Sequence, residues 1–199
     1  MILAIDTTSE FGSMALVNDA GVVGELSMHS PDGFSHVLYE HLTNFLATHN
    51  VRLTDIDCFA SAAGPGSFTG VRVGLAAVKG LAEATAKPAT AVSNLQALAA
   101  FGTAPLRATL LDARRGDVFG AVYNAALEPV QPEVVMKFEA WQETLPAGAE
   151  IIKGPRALAG AIGQIAWQRL QRGEVTDPAL LDANYVRRSD AELFWKDPA

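Results

Sequence analysis

Between Gly64 and Gly80 the chain reads Gly-Pro-Gly-Ser-Phe-Thr-Gly-Val-Arg-Val-Gly-Leu-Ala-Ala-Val-Lys-Gly, a turn that runs straight into a helix with few side chains on one of its faces. Pro65 presets a backbone angle, and Gly64 and Gly66 accept conformations barred to other residues, so a sharp turn is expected there. A helix follows from Ser67 or Thr69. Val71, Leu75, Val78 and Ala82 recur along it at helical spacing, while Gly70, Gly74, Ala77 and Ala84 leave a second surface that another backbone can approach closely. Free amides at a helix start attract anions. A P-loop, however, ends in Gly-Lys-Ser or Gly-Lys-Thr, and Gly64, Gly66 and Gly70 are spaced one residue too long for the dinucleotide fingerprint. The segment reads as a device for packing.

The chain has 199 residues, 49% of them hydrophobic, enough to bury a core in one domain or two small lobes. Its formal net charge of −7 comes with no basic tail or block, which argues against a direct grip on RNA or DNA and leaves any nucleic acid to a partner. Cys58 stands alone in an apolar run, without a disulfide or CxxC companion, and suits a core position in a reducing cytoplasm. Met1 to Asp6 lacks the charged region and long apolar core of a signal peptide, and no apolar stretch is long enough for a bilayer.

Ile2 to Ile5, Ser13 to Val17 and Val22 to Leu26, with Asn18-Asp19-Ala20-Gly21 as a turn, predict three antiparallel strands. Phe34, Leu38, Leu42 and Phe45 mark one face of a helix running to about His49. A buried strand at 56–63, the Gly64 turn and its helix, a strand at 88–92 and a short helix at 95–101 complete a first lobe, residues 1–103. The second, residues 104–199, opens on 108–112, a turn at Arg114-Arg115-Gly116 and 118–123. That opening echoes the first hairpin and sets Asp112 opposite Asp6, as a duplication would. A strand at 134–138, another at Ile151 and Ile152, and a helix through Leu158, Ile162, Ile165 and Leu170 that closes near Gly173 follow.

The Asp6-Thr7-Thr8-Ser9 turn, the repeated three-strand layout and Gly-Pro-Gly-Ser-Phe-Thr-Gly-Val-Arg together resemble the actin-like, sugar-kinase-like ATPase superfamily. More narrowly, the chain resembles the TsaB family, once called YeaZ. The likeness continues through Asp112-Ala113-Arg114-Arg115-Gly116-Asp117-Val118. Toward the end, Ala183-Asn184-Tyr185-Val186-Arg187 keeps the tyrosine and arginine of a Pro-x-Tyr-Leu-Arg-like string but lacks its proline. The resemblance implies a duplicated α/β fold with mixed sheets and a reduced second lobe. It also implies an accessory role, in the bacterial complex that makes threonylcarbamoyladenosine beside the anticodon of transfer RNA. The expected partners are a TsaD-like catalytic subunit and a TsaE-like ATPase, with a homodimer when free. ATP would be used by the complex and no cofactor held by this chain alone.

The resemblance further implies a catalytically silent relative of the TsaD-like subunit, and the residues bear on that silence. Metal-binding histidines four apart on the first long helix mark the catalytic relative; here His36 and His41 are five apart, about 140° around a helix, and Glu40 takes the fourth place. Asp6, Thr7, Thr8 and Ser9 keep the residue types of a phosphate turn and are the candidate remnant of a nucleotide site. Arg114 and Arg115, in contrast, fill the second hairpin, where small residues would let backbone close on phosphate. Gly-x-Ser-x-Gly and His-Glu-x-x-His are both missing. Asp55 and Asp57 read as exposed turn residues, Ser67 and Thr69 as helix caps, and Trp141, Trp167 and Trp195 as packing residues. Tyr185 and Arg187 either reach a partner or form a core ring beside a surface charge, and the second is the expectation.

What remains is association. The Gly70, Gly74 and Ala77 face packs either inside its own lobe or against another chain, and the resemblance points to the second. The expected partner surface is then Leu38, His41, Leu42, Phe45, Gly70, Val71, Gly74, Ala77 and Val78. Two other classes compete: a small-molecule kinase or ATPase using Asp6 and Thr8, and a metallopeptidase.

Overall fold

The computed structural model describes residues 1–154 and 157–186. Three strands open the chain, β1 (Ile2–Asp6), β2 (Phe11–Asn18) and β3 (Gly21–His29). Then come α1 (Leu38–Thr48), β4 (Cys58–Ala62), α2 (Phe68–Thr85), β5 (Ala89–Val92) and α3 (Asn94–Ala99). They build a five-stranded sheet in the order β3-β2-β1-β4-β5, with β2 antiparallel to β1 and β3, and β4 parallel to β1 and β5.

The second half repeats the layout. Strands β6 (Leu106–Asp112), β7 (Asp117–Asn124), β8 (Pro129–Lys137) and β9 (Glu150–Lys153) form a sheet in the order β8-β7-β6-β9. Again the first strand has an antiparallel and a parallel neighbour. In both sheets an aspartate closes the first strand, Asp6 facing Ser13 and Asp112 facing Val118. This is the duplicated actin-like, ribonuclease-H-like α/β arrangement, with the second sheet one strand shorter. Two α-helices remain, the short α4 (Phe138–Glu143) and the longer α5 (Ala159–Gln171). The sequence reading carried the β8 strand into Phe138. That residue instead starts α4, which buries Trp141 against Ala108, Leu110 and Val118.

Burial on both faces explains the unbroken apolar run of β1. Leu3 and Ile5 join Phe34, Leu42, Phe45, Phe59, Val71 and Val78 in a core under α1 and α2. Ile2 and Ala4 face the other way, onto Ile162, Ile165 and Ala166 of α5. Packing crosses between the two halves of the chain. Helix α5 lies on the first sheet, while α3 turns Leu95 and Ala99 toward Ala121 and Tyr123 of the second. The N-terminus of α5 is capped from far away in sequence: Ser13 Oγ accepts the Leu158 and Ala159 amides at 3.2 and 3.0 Å, and Glu25 Oε1 accepts the Gly160 amide at 2.8 Å. Unpaired amides at a helix start need such partners, and an acidic group there is also favoured by the helix dipole.

Candidate functional site

Where β1, the Gly64 turn and α3 meet the second hairpin, a cleft of about 920 Å³ opens. Its floor is the Asp6 turn. Asp6 is 3% exposed, and its Oδ1 accepts the Thr8 amide at 2.9 Å and the Thr8 hydroxyl at 2.6 Å. Burial pushes the Asp6 carboxyl above the usual carboxylate range, and the Thr8 hydroxyl and amide oppose that rise.

Asn94, also buried, ties this turn to the glycine loop. Its Nδ2 donates to Thr8 Oγ1 at 2.6 Å and to the Pro65 carbonyl at 3.1 Å, and its Oδ1 accepts the Gly64 amide at 3.3 Å. The Ser67 amide donates to the Thr8 carbonyl at 2.7 Å. Ser67 then caps α2 by accepting the Gly70 amide at 3.2 Å, as its sequence position foretold. Asn94 was missed by the sequence reading; a lone amide side chain just inside a helix start gave no motif to find.

The glycine face of α2 points into its own lobe. A Cβ on Gly70 would stand 2.1 Å from the Thr7 carbonyl oxygen, and one on Gly74 would stand 2.8 Å from Thr7 Oγ1 and 3.1 Å from Ser61 Oγ. Thr7 Oγ1 in turn donates to the Gly70 carbonyl at 2.7 Å. The same holds for most of the surface expected to meet a partner. Leu38, Leu42, Phe45, Val71, Gly74, Ala77 and Val78 are buried, and Gly70 and His41 are half-buried. Side chains enclosed within a lobe cannot also be the skin of a contact. The outward positions of these helices include Tyr39, Thr43 and Ala47 on α1, and Phe68, Arg72, Ala76 and Gly80 on α2; Ala84, read with the small-residue face, is also exposed.

The second hairpin differs from a phosphate cradle. Arg114, Arg115 and Gly116 have φ of 69°, 56° and 77°, so two bulky residues occupy the left-handed region, at a cost of ~1 kcal/mol or more each. The Arg114 amide donates to Asp112 Oδ1 at 2.8 Å, just as the Thr8 amide is taken by Asp6. Lys137 Nζ donates to the Arg115 carbonyl at 2.7 Å and pairs with Asp117 at 2.9 Å. A nucleotide's phosphates need free amides and room, and this pair of turns spends one amide each on its own aspartate.

His36 precedes α1 and His41 sits in its first turn, and among the described residues no group of three or more His, Cys, Asp or Glu side chains could hold a metal. Cys58 is buried at the base of β4; burial first, and then the Asp57 charge, push its thiol up to about 12 against the pull of the amino terminus. Asp55 and Asp57 are exposed and Trp141 is buried. Tyr185, read from sequence as a core ring, is exposed: it lines the cleft with its ring 5.8 Å from Phe68 and its hydroxyl accepting Arg72 Nε at 3.1 Å. Arg187 and Trp195 lie outside the described residues. Among those residues no helix is long and apolar enough to cross a membrane.

A family model described as TsaD, tRNA N6-adenosine threonylcarbamoyltransferase, matches residues 20–170. The TsaB protein of Escherichia coli K12 is 34% identical over 197 residues, covering 91% of this chain and 83% of its own length. The chain belongs to the TsaB family. TsaB of Bacillus subtilis is likewise 34% identical, over 72% of this chain and 65% of its own. A crystal structure from Pseudomonas aeruginosa, of a protein described as similar to the peptidase YEAZ, superposes with a TM-score of 0.80 at 26% identity, over 94% of this chain and 99% of that one. At 94% of this chain that likeness takes in more than either sheet alone, so it is a likeness of the duplicated arrangement.

Proposed function

We propose that this chain is a non-catalytic accessory subunit in the formation of threonylcarbamoyladenosine in transfer RNA. In this reading it docks on a TsaD-like catalytic subunit, with a TsaE-like ATPase joining the pair, and contacts the RNA only through them. Its place of work is then the cytoplasm. The name of the relatives supplies the pathway, and one observation on this chain carries the accessory role. The carboxyl that would serve chemistry in the cleft, Asp6, is enclosed and bound by its own turn, while the facing hairpin is filled by Arg114 and Arg115. No group of three or more His, Cys, Asp or Glu side chains that could hold a metal accompanies them among the described residues.

Docking uses the outward sides of α1 and α2. Tyr39 and Phe68 are 57% and 47% exposed there, and aromatic side chains of this kind anchor contacts. At Ala76 and Gly80 a facing helix can come close, since a Cβ on Gly80 would meet nothing within 4 Å. Both helices rest on one core, so the surface is rigid before binding and little ordering is lost on association. Without the catalytic subunit the same surface supports a homodimer.

The test is co-elution of the chain with the TsaD-like subunit of the same organism. The parent is expected to co-elute. Ala76→Arg and Gly80→Arg are expected to abolish the complex while keeping the parent's melting temperature. Retention of the complex by both variants would overturn the surface assigned here.

A further inference from the structure

We propose that residues 181–186 form a strap buckled on Glu133, and that this buckle sets how far the cleft between the two sheets opens. Glu133 lies half-buried on β8. Its Oε1 accepts the Tyr123 hydroxyl at 2.7 Å and the Ser93 hydroxyl, and its Oε2 accepts Asn184 Nδ2 at 2.5 Å. Those three donors belong to different parts of the molecule. Tyr123 is on the second sheet, Ser93 joins the end of β5 to α3, and Asn184 follows α5. A carboxylate accepts hydrogen bonds and donates none, so all three contacts are satisfied and charge-assisted. Burial, and next the Glu133 charge, push the Tyr123 hydroxyl up, which keeps it a donor.

The strap is fastened to the first lobe as well. Leu181 is buried in the core under α2. The Asn184 amide donates to the Ala63 carbonyl at 2.8 Å, one residue before the Gly64 turn. Tyr185 lies against Phe68 and Arg72 of α2. Asn184, Tyr185 and Val186 then line the cleft itself. On the far side of the buckle, Ser93 adjoins Asn94, whose side chain holds both Thr8 and the Gly64–Pro65 peptide. One carboxylate therefore stands between the tail segment, the second sheet and the turn at the cleft floor. Loss of the Glu133–Asn184 contact frees Tyr185 and loosens the Gly64 turn together.

Hydrogen exchange followed by mass spectrometry on the full chain tests this, with Glu133→Gln and Asn184→Ala. The expected result is exchange at least about tenfold faster in residues 181–186 and also in residues 64–67, with the β2–β3 hairpin unchanged. Faster exchange confined to 181–186 would overturn the proposal, because the segment would then be a tail without hold on the cleft. No change in either segment would overturn it as well. If Glu133→Gln also speeds exchange in the β2–β3 hairpin, the fold as a whole has weakened, and Asn184→Ala alone decides by the same two criteria.

Discussion

Replacing Gly70 by alanine puts a methyl group where the chain has none to spare. The new Cβ would stand 2.1 Å from the Thr7 carbonyl oxygen and 3.2 Å from Thr8 Cα, both backbone atoms. Thr7 cannot swing aside, because it begins the turn that binds Asp6, and α2 cannot withdraw without breaking the Thr7 Oγ1 to Gly70 carbonyl bond of 2.7 Å. Overpacking of this severity costs ~3 kcal/mol. The lost hydrogen bond adds ~1 kcal/mol, and the better helix propensity of alanine returns ~1 kcal/mol. A net loss of about 3 kcal/mol lowers the melting temperature of a chain this size by about 6–12 °C. Gly80→Ala is the control: its Cβ meets nothing within 4 Å, and it is expected to gain ~0.5–1 kcal/mol. Urea unfolding of the parent and both variants gives the comparison. Equal stability of Gly70→Ala and the parent, or a loss at Gly80 as large as at Gly70, would refute the reasoning that the glycine face is filled from within its own lobe.

Other residues give sharp expectations. Asp6 has a folded pKa raised above 3.8, mainly by burial, so the native state holds its proton more tightly than the unfolded chain does. Its favourable contribution is full below the unfolded value and fades as pH rises through the folded one. Asp6→Asn keeps the acceptor for Thr8 and is expected to equal or exceed the parent's stability at neutral pH, the advantage vanishing near pH 4; a destabilised variant at neutral pH speaks against it. Arg114→Gly relieves a left-handed residue and is expected to stabilise by ~0.5–1 kcal/mol in urea, whereas a loss would mean that the arginine side chain holds the hairpin. The buried Cys58 thiol, pushed up to about 12, is expected to resist alkylation at pH 8 in the native protein and to react fully in urea. Rapid native labelling contradicts its enclosure.

The strands of the first hairpin were legible because apolar runs alternate with an Asn-Asp-Ala-Gly turn, and β2 and β3 pair across it. Ser67 announced the start of α2 for a local reason, its own cap. Periodicity also exposed the close-packing face of that helix. It could not say which backbone would fill it, since Gly70 meets Thr7 from 63 residues away. The packing of α5 on the first sheet escaped for the same reason: α5 is capped by Ser13 and Glu25, and nothing near Leu158 in sequence signals either. The short α4 was missed because its first residue, Phe138, ends the run 134–138 that reads as strand. Asn94 and Glu133 carry no motif, and their roles exist only once distant segments are brought together; Tyr185 sits in the tail string, which does not show that its ring lies against Phe68 and Arg72.

The central claim is that this chain supports chemistry done elsewhere. Its most direct test is the rate of threonylcarbamoyl transfer to transfer RNA by the TsaD-like subunit and its ATPase, with and without this chain, alongside the chain alone and its Asp6→Asn variant. The account predicts no turnover by the chain alone, stimulation when it is added, and equal stimulation by Asp6→Asn. Turnover by the isolated chain, or loss of stimulation in a well-folded Asp6→Asn variant, would contradict it.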